Sequence, residues 1–266
     1  MARRWGRAGG SRVAAAERFR QTSAAMTELL FRADVYARQC DATIAAVDAR
    51  GIRLDRTIFY PLGGGQPGDS GVLVTEDGAT IRIVDTVKGE GADEIIHVPE
   101  AVTPLPAAGT QVRAGLDWER RHRHMRFHTC LHLLCAVVPY PVTGGRIASD
   151  KAHLDFDLQG ANIDKADIEV RLNALIAAGH AATPRWISDA ELDANPELVK
   201  TMSVAPPRGA GRVRLIEIPG VDLQACGGTH VANTAEIGPV AVLKIRSEGK
   251  RNKRVVIGFA GEDVRA

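Results

Sequence analysis

The chain has 266 residues, of which 45% are hydrophobic and 25% are charged, and its formal net charge is +2. This composition is typical of a globular protein with room for one large domain or two modest ones. So small a net charge does not by itself indicate a nucleic-acid-binding protein, and no run approaches the roughly 18 apolar residues of a membrane span. We therefore expect a soluble, cytoplasmic protein without a membrane partner.

Arginine dominates the first 25 residues, which hold six arginines and a single acidic residue, Glu17. Such a composition can mark an organellar transit segment, although this one lacks a secretory apolar core. The simpler interpretation is that Met26 is the working start. Residues 1–25 are then an extension that we expect to be weakly ordered.

Residues 26–116 have the pattern of a small all-β domain. Apolar and polar residues alternate about a turn at Asp48–Gly51 and again about Asp77–Gly78, so both stretches predict hairpins. The segment Pro99–Gly109 predicts a loop before one more strand. Several short strands at this spacing indicate a small sandwich or barrel.

Residues 117–260 mix helices with strands. Asp117 is a predicted helix N-cap and Pro139 a helix stop, while Asp164 and Gly179 mark the ends of a second predicted helix. Because there is no regular βαβ rhythm, we predict an α+β fold. The predicted buried stripe of the first helix is Phe127, Leu131, Leu134 and Val138. Predicted strands cover residues 151–158, 211–218 and 239–259.

Two histidines four apart, His128 and His132, would lie on one face of the first predicted helix, about one turn apart. Neutral imidazoles so placed can bind one metal ion. Thr129 stands where a metalloprotease HExxH motif needs its general-base Glu, so that class is excluded. His124 precedes His128 by four residues, and spacing alone does not choose between the two pairs. Two histidines on a solvent-exposed helix face, without a metal, would give the same pattern.

A second pair of metal-binding residue types, Cys226 and His230, lies in the segment CGGTH. The intervening glycines let the backbone turn tightly and approach a ligand closely, and thiolate and imidazole are both good zinc ligands. The alternative is a glycine-rich turn with a buried thiol. Of the other cysteines, Cys130 and Cys135 lie in an apolar stretch and are predicted core residues, and Cys40 has no suggestive neighbours.

The glycine-rich segment TIFYPLGGGQPGDSG covers residues 57–71. It has neither the Lys-Ser/Thr ending of a P-loop nor the strand–helix setting of a dinucleotide-binding loop. Gly63, Gly64 and Gly65 leave backbone N–H groups open to an anion or a substrate chain. Gln66 adds an amide for polar recognition. A plain surface loop would have a similar composition.

A basic segment covers residues 244–254 between two apolar, strand-like stretches, and so predicts a hairpin with a cationic tip. A solvated turn would look the same, but phosphate contacts through Lys250 and Arg251 are plausible. Further arginines could extend the positive surface. They are Arg120, Arg121, Arg123 and Arg126.

Three of these motifs resemble a known family in the same order. HTCLHLL at 128–134 and CGGTH at 226–230 resemble the HxxxH and CxxxH motifs of the alanyl-tRNA synthetase editing domain and of the freestanding AlaX-type editing proteins. FYPLGGGQPGDSG at 59–71 is similar to the glycine-rich motif of the longer freestanding forms. The resemblance covers about residues 26–260 and implies that the metal ligands are His128, His132, Cys226 and His230.

The resemblance implies a translation-factor-like β-barrel over residues 26–116 and an α+β editing domain over 117–260, of the kind that threonyl- and alanyl-tRNA synthetases share. The implied activity is zinc-dependent hydrolysis of the aminoacyl ester on alanine tRNA mischarged with serine or glycine. A pocket sized for alanine admits glycine and rejects serine only weakly, so a second hydrolytic site is needed. Since 266 residues leave no room for an aminoacylation domain, we expect the protein to remove amino acids from tRNA and not to attach them.

Several residues receive candidate roles under this interpretation. His128 or His132 is the zinc ligand that yields to water or acts as base. Gln66 and Thr129 sense the serine hydroxyl, and the N–H groups of Gly227 and Gly228 hold the developing oxyanion. Residues expected to contact the substrate or its acceptor end are Gly63, Gly64, Gly65, Arg126, Lys250 and Arg251. The alternatives are a zinc-stabilised RNA-binding module without hydrolytic activity and a general metallohydrolase.

Overall fold

The structure is a computed structural model that describes residues 27–91, 93–101, 105–201, 211–249 and 251–262. The expectations for residues 1–25, Met26 and Lys250 therefore lie outside the described residues. Among the helices of the described ranges, none is both long and apolar enough to cross a membrane.

The first half of the described chain folds into a closed six-stranded barrel in the order β2-β3-β7-β6-β5-β8, with every neighbouring pair antiparallel. Closure removes the exposed edges that an open sheet would present. Of the two predicted architectures, sandwich or barrel, the chain therefore adopts the barrel. The strands are β1 (Glu28–Leu29), β2 (Gln39–Asp48), β3 (Gly51–Leu54), β4 (Arg56–Thr57), β5 (Gly71–Thr75), β6 (Thr80–Lys88), β7 (Ile95–Pro99) and β8 (Gln111–Leu116).

Both predicted hairpin turns are confirmed, between β2 and β3 and between β5 and β6. Asp48 accepts a hydrogen bond from the Arg50 N–H at 2.8 Å, as aspartates do in turns. Gly51 has φ +142°, and a Cβ there would lie 2.4 Å from the His97 carbonyl oxygen, so this position requires glycine.

The remainder of the described chain is α+β, as predicted. A four-stranded antiparallel sheet has the order β14-β15-β10-β9, and a three-stranded antiparallel sheet has the order β11-β12-β13. The helices are α1 (Trp118–Val137), α2 (Lys165–Ala177) and α3 (Asp189–Ala194). The strands are β9 (Val142–Ile147), β10 (Ala152–Asp157), β11 (Thr183–Ile187), β12 (Val213–Ile218), β13 (Asp222–Ala225), β14 (Val240–Ser247) and β15 (Asn252–Phe259).

Helix α1 is the central element of this half and is buried on all sides from Phe127 to Cys135. Such burial is expected of a helix surrounded by other elements. Asp117 caps it by accepting from the Arg120 N–H, and the predicted stripe of four apolar residues is buried. Cys130 and Cys135 belong to the same core, which confirms their predicted place. Asp164 caps α2 in the same way.

A fully buried ion pair joins the glycine-rich segment to α1. The Nε of Arg121 donates to Asp69 Oδ2 at 2.9 Å, and its Nη2 donates to the Ile58 carbonyl at 2.6 Å. Asp69 also accepts from the Tyr60 N–H at 2.6 Å. The prediction that Arg121 extends a positive surface is therefore wrong, because this side chain is 0% exposed and neutralised by Asp69.

Candidate metal centre

The two predicted ligand pairs meet in space. His128 and His132 lie one turn apart on α1, and Cys226 and His230 follow β13 on the segment that packs against that turn. One ligand atom from each of the four lies within 4.8 Å of every other. His124, which spacing could not exclude, lies outside this cluster, although it is buried on the same helix.

The imidazole Nε2 atoms point at the thiol. Cys226 Sγ lies 3.5 Å from His128 Nε2 and 3.2 Å from His230 Nε2. The His132 ring centroid lies 4.6 Å from that of His230 and 5.5 Å from that of His128. Three imidazoles and one sulfur thus converge on one point, which is the arrangement that a tetrahedral metal site requires.

Each of the three histidines has a hydrogen-bond partner on its other ring nitrogen. The Nδ1 atom of His128 lies 2.8 Å from Gln66 Oε1. The Nδ1 atom of His132 lies 3.0 Å from Asp222 Oδ2, and that of His230 lies 3.2 Å from Thr129 Oγ1. With the proton on Nδ1, each Nε2 lone pair is free to bind a cation. Partners of this kind fix the tautomer and ring orientation of metal-binding histidines.

A small polar network supports His132. Asp222 accepts from Lys200 Nζ and, at 2.7 Å, from Gln224 Nε2. Burial alone would raise the pKa of Asp222, but its hydrogen bonds to His132, Lys200 and Gln224 lower it to about 2. Burial alone would likewise lower the pKa of His132, whereas its bonds to Asp222 and Cys226 raise it to about 9. Metal binding requires the unprotonated Nε2 of His132, so it competes with protonation of this ring.

The electrostatic setting of Cys226 favours the thiolate. Burial would raise the pKa of this thiol, but the charges of His128 and His230 and its hydrogen bonds to His128 and His132 hold it well below the usual value. The Gly228 N–H donates to the sulfur at 3.4 Å. The thiolate is the form that binds metal ions.

The two glycines of CGGTH have different surroundings. A Cβ on Gly228 would lie 2.1 Å from His128 Cε1 and 3.0 Å from Gln66 Oε1, whereas a Cβ on Gly227 would have no atom within 4 Å. The Arg214 guanidinium clamps the same turn by donating to the Cys226 carbonyl at 3.0 Å and to the Gly228 carbonyl at 2.8 Å. The second glycine lets the turn pack against His128.

A cavity of about 240 Å³ opens onto the cluster. Three of the four cluster residues, His128, His132 and Cys226, line one part of it. The loop Gly63–Gly65 and strand β9 line another, and Ile147 N–H donates to the Gly65 carbonyl at 2.9 Å. The structure therefore brings the predicted glycine-rich loop and the predicted ligands to one cavity. Gly227 and Gly228 also line it.

Gln66 and Thr129 lie behind the cluster and outside the cavity lining. Gln66 is 0% exposed, its Oε1 accepts from His128 and from the Thr229 N–H at 3.1 Å, and its Nε2 donates to Thr229 Oγ1 at 2.8 Å. Thr129 Oγ1 contacts His230 and accepts from the Val231 N–H at 3.2 Å. Both side chains thus contact the residues that form the cluster.

The basic residues predicted to bind substrate lie away from the cavity lining. Arg126 donates to the Ile237 carbonyl at 2.8 Å, and its guanidinium lies 3.8 Å from the Phe259 ring centroid. Arg251 pairs with Asp157 next to the β14–β15 hairpin turn. The cationic side chains among the cavity lining are Arg32, Lys88 and Arg146.

Sequence reasoning missed the residues that support the ligands, chiefly Asp222, Gln224, Lys200 and Arg214. One signal was available. Asp222, Gln224 and Cys226 alternate along a strand, and alternate residues of a strand share a face. A carboxylate and an amide on the ligand's own face are typical partners of metal-binding histidines.

The chemistry of the cluster fits a divalent metal ion. Three nitrogen donors and one thiolate are present, each histidine is oriented by a second partner, and the four residues could hold one ion. Two tRNA synthetase families match parts of the chain. Residues 213–256 match the threonyl and alanyl tRNA synthetase second additional domain, and residues 11–120 match tRNA synthetases class II (A). The fold and site thus define a protein of the class that carries the second additional domain.

Similar proteins narrow the class to a family. AlaX-M of Methanosarcina acetivorans, named an alanyl-tRNA editing protein, is 37% identical over 86% of this chain and 98% of its own length. AlaX-L of Pyrococcus horikoshii is 35% identical over 86% of this chain and 57% of its own length. An alanine–tRNA ligase of Metallosphaera sedula is 34% identical over 82% of this chain and 24% of its own length. The chain belongs to the family of alanyl-tRNA editing proteins, which confirms the resemblance seen in its motifs.

Proposed function

We propose that this chain is a trans-editing deacylase that hydrolyses the aminoacyl ester of alanine tRNA mischarged with serine or glycine. The observation that carries the proposal is a cluster of three histidines and one cysteine that opens onto a cavity, in a member of the alanyl-tRNA editing family. The reaction adds water across the ester, breaking the bond between the carbonyl carbon and the ribose oxygen. It releases the amino acid and uncharged tRNA.

Zinc is the proposed metal, because one thiolate and three imidazoles are the donors that zinc prefers. The ligands would be His128, His132, Cys226 and His230. A bound zinc ion supplies Lewis acidity toward a carbonyl or a water. Four protein ligands form a closed set, so we further propose that His128 or His132 gives way to water or acts as base. Both of these histidines line the cavity.

The chain's own residues would orient the reactants. We propose that Gln66 positions His128 and that Thr129 positions His230, because their polar atoms contact those rings. This geometry favours a positioning role over direct sensing of the serine hydroxyl. Gly228 N–H donates to Cys226 Sγ, so the Gly227 N–H is the better candidate of the two to hold the developing oxyanion.

We propose that the substrate's acceptor end enters along Gly63–Gly65 and that its phosphates contact the cations of the cavity lining. Arg32, Lys88 and Arg146 come from three separate parts of the fold, yet all of them line the cavity. Phosphate contacts position a nucleic acid without reading its sequence. Arg126 and Arg251 then have at most an outlying part, since neither lines the cavity.

We also propose that residues 26–116 and 117–260 are the two domains of the chain. The barrel and the α+β half have separate apolar cores, centred on different residues. The catalytic cluster then belongs to the second domain, and Gln66 reaches it from the first.

A deacylation assay tests the proposed function. Alanine tRNA charged with serine, glycine or alanine is incubated with the protein, with and without a chelator, and release of the amino acid is measured. We expect release of serine or glycine, its loss with chelator and its loss in Cys226→Ala. Cys40→Ala, which changes a cysteine in the barrel, is the matched control and should keep activity. If none of the three charged tRNAs is hydrolysed, the alternative of a zinc-stabilised RNA-binding module is favoured instead.

A further inference from the structure

The three-stranded sheet β11-β12-β13 has two different faces. One face packs beneath α3, where Leu192 of the helix meets Ile187, Val213 and Leu215 in a small core. The opposite face carries Cys226 and the network that supports His132, because Asp222, Gln224 and Cys226 alternate with residues of the first face. The sheet thus has a structural side and a metal side.

The strand register places Trp186 on the metal side. Trp186 of β11 is paired directly with Arg214 of β12, and the Cys226 N–H donates to the Arg214 carbonyl at 3.0 Å. Residues directly opposite each other in an antiparallel pair project to the same face. Trp186, Arg214 and Cys226 therefore form one row across the sheet. Two strand spacings put the Trp186 backbone roughly 10 Å from that of Cys226.

The metal side of the sheet becomes exposed toward β11. Ile216 and Ile218 of β12 are 1% and 0% exposed, whereas Trp186 on the edge strand is 45% exposed. A cation lies beside it, since the Arg212 guanidinium is 5.8 Å from the Trp186 ring centroid. An exposed indole beside an arginine, on the same sheet face as the proposed metal ligand Cys226, is a surface suited to a nucleotide.

We propose that Trp186 stacks on an unpaired base near the 3′ end of the tRNA whose ester lies at the metal centre. This rests on the proposed function. Proteins bind single-stranded nucleic acid by combining aromatic side chains, on which bases stack, with cations that follow the backbone. Trp186 supplies the first element, and Arg212, whose guanidinium lies over the indole ring, supplies the second. A short single strand spans the separation between Trp186 and Cys226, and its bases are unpaired and free to stack.

Binding of an uncharged RNA tests the stacking without requiring hydrolysis. The probe is a single-stranded RNA oligonucleotide ending in CCA, titrated into the full chain while tryptophan fluorescence is recorded. In the wild type we expect the RNA to quench tryptophan fluorescence. In Trp186→Phe the quenching that comes from Trp186 should be lost while the affinity for RNA is nearly kept. In Trp186→Ala the affinity for RNA should be weaker by about 10-fold. Val170→Ala, which removes an exposed apolar side chain on α2, is the control and should bind as the wild type does.

Kinetics supply the second readout. In deacylation of mischarged tRNA, Trp186→Ala should raise KM by about 10-fold and leave kcat nearly unchanged, because stacking lies away from the reacting ester. Equal RNA affinity in Trp186→Ala and the wild type would overturn the stacking proposal, whatever the deacylation assay gives. Absence of deacylation in the wild type, with RNA quenching intact, would count against the proposed function and not against the stacking.

Discussion

At the scale of single residues, the two neighbouring glycines of CGGTH have unequal roles. In Gly228→Ala the new methyl group would overlap the His128 imidazole, so either that ring or the turn that carries Cys226 must shift, and the distance between these two ligands changes. We expect zinc affinity to fall by on the order of 10-fold or more, as for other losses of ligand orientation. Chelator competition and zinc content per chain measure this.

Gly227→Ala is the matched control, since a methyl group there meets no atom within 4 Å. It adds the same carbon atom one position earlier in the same turn. We expect wild-type zinc content and wild-type stability. Equal losses in both variants would show that turn flexibility, and not the His128 contact, determines the need for glycine.

A buried histidine in the barrel makes stability depend on pH. His97 is 0% exposed, with Nδ1 donating to the Ile52 carbonyl at 3.0 Å and Nε2 accepting from Thr57 at 2.8 Å. Burial lowers its pKa to about 4, against an ordinary value of 6.5. Between pH 6.5 and 4 the unfolded chain binds a proton that the folded chain refuses. Stability should therefore fall by up to roughly 3 kcal/mol as pH drops through this window, and be independent of this group above it.

Denaturant unfolding at several pH values checks the His97 contribution. His97→Asn is expected to be less stable at pH 7 but to lose less stability on acidification than the wild type. His180→Asn, which changes a half-buried histidine outside the barrel, serves as control for the general effect of removing an imidazole. If the stability of His97→Asn falls with decreasing pH as steeply as that of the wild type, His97 is not the group responsible for the pH dependence.

The candidate ligands illustrate how far residue patterns reach. His128, His132, Cys226 and His230 stand out because metal-binding residue types recur at i, i+4 spacing. The choice of His128 and His132 over His124 is not available from spacing, because all three fall on one helical stripe and only the packing of the CGGTH turn distinguishes them. Gln66 is 62 residues from its partner His128, and no local pattern encodes that contact.

At the scale of elements, the buried Asp69–Arg121 pair ties the glycine-rich segment to α1. Arg121→Met leaves the Asp69 carboxylate buried without its counter-charge, so we expect a loss of roughly 3–5 kcal/mol in the free energy of unfolding. The double variant Asp69→Asn with Arg121→Met should recover much of this loss, because the remaining groups are neutral. Denaturant midpoints of the single and double variants measure the coupling.

An exposed pair between the same helix and the segment after β15 provides the comparison. Glu262→Gln removes the partner of Arg123, and both side chains reach solvent. Surface pairs of this kind contribute up to about 1 kcal/mol, so the midpoint should hardly move. A similar loss of stability at both sites would mean that burial does not determine how much the Asp69–Arg121 pair contributes to the free energy of unfolding.

The elements that the sequence predicted well are those with strong local signals. The hairpin turns at Asp48–Gly51 and Asp77–Gly78 and the caps Asp117 and Asp164 all lie where predicted. Strand β9 was missed because Gly144 and Gly145 weaken a strand pattern. Its glycines are explained only by tertiary contacts, since a Cβ on Gly145 would lie 2.5 Å from Leu154 Cδ2 and Gly65 packs against the Gly145 carbonyl.

At the scale of the whole molecule, the metal cluster joins elements of the α+β half, whose apolar core is separate from that of the barrel. Bound zinc should therefore stabilise that half most. At a free zinc concentration 100 times the dissociation constant, the gain is about 2.7 kcal/mol. We expect chelation to lower the melting temperature of the α+β half, followed by its helical circular dichroism, because α1, α2 and α3 all lie in that half. Cys226→Ala should behave like the chelated wild type, and a single melting transition unaffected by chelator would contradict this.

The separation of the ligands along the chain has a consequence for synthesis. Cys226 lies 98 residues after His128, so a growing polypeptide presents two histidines on a nascent helix long before the thiolate and the last imidazole are made. Gln66 and the rest of the barrel have left the ribosome by then. A metal ion held by all four residues could therefore be bound only after His230 has been made, and a product terminated before Cys226 would be a barrel with an incomplete metal centre. The proposed zinc would therefore occupy only chains that had been synthesised past His230.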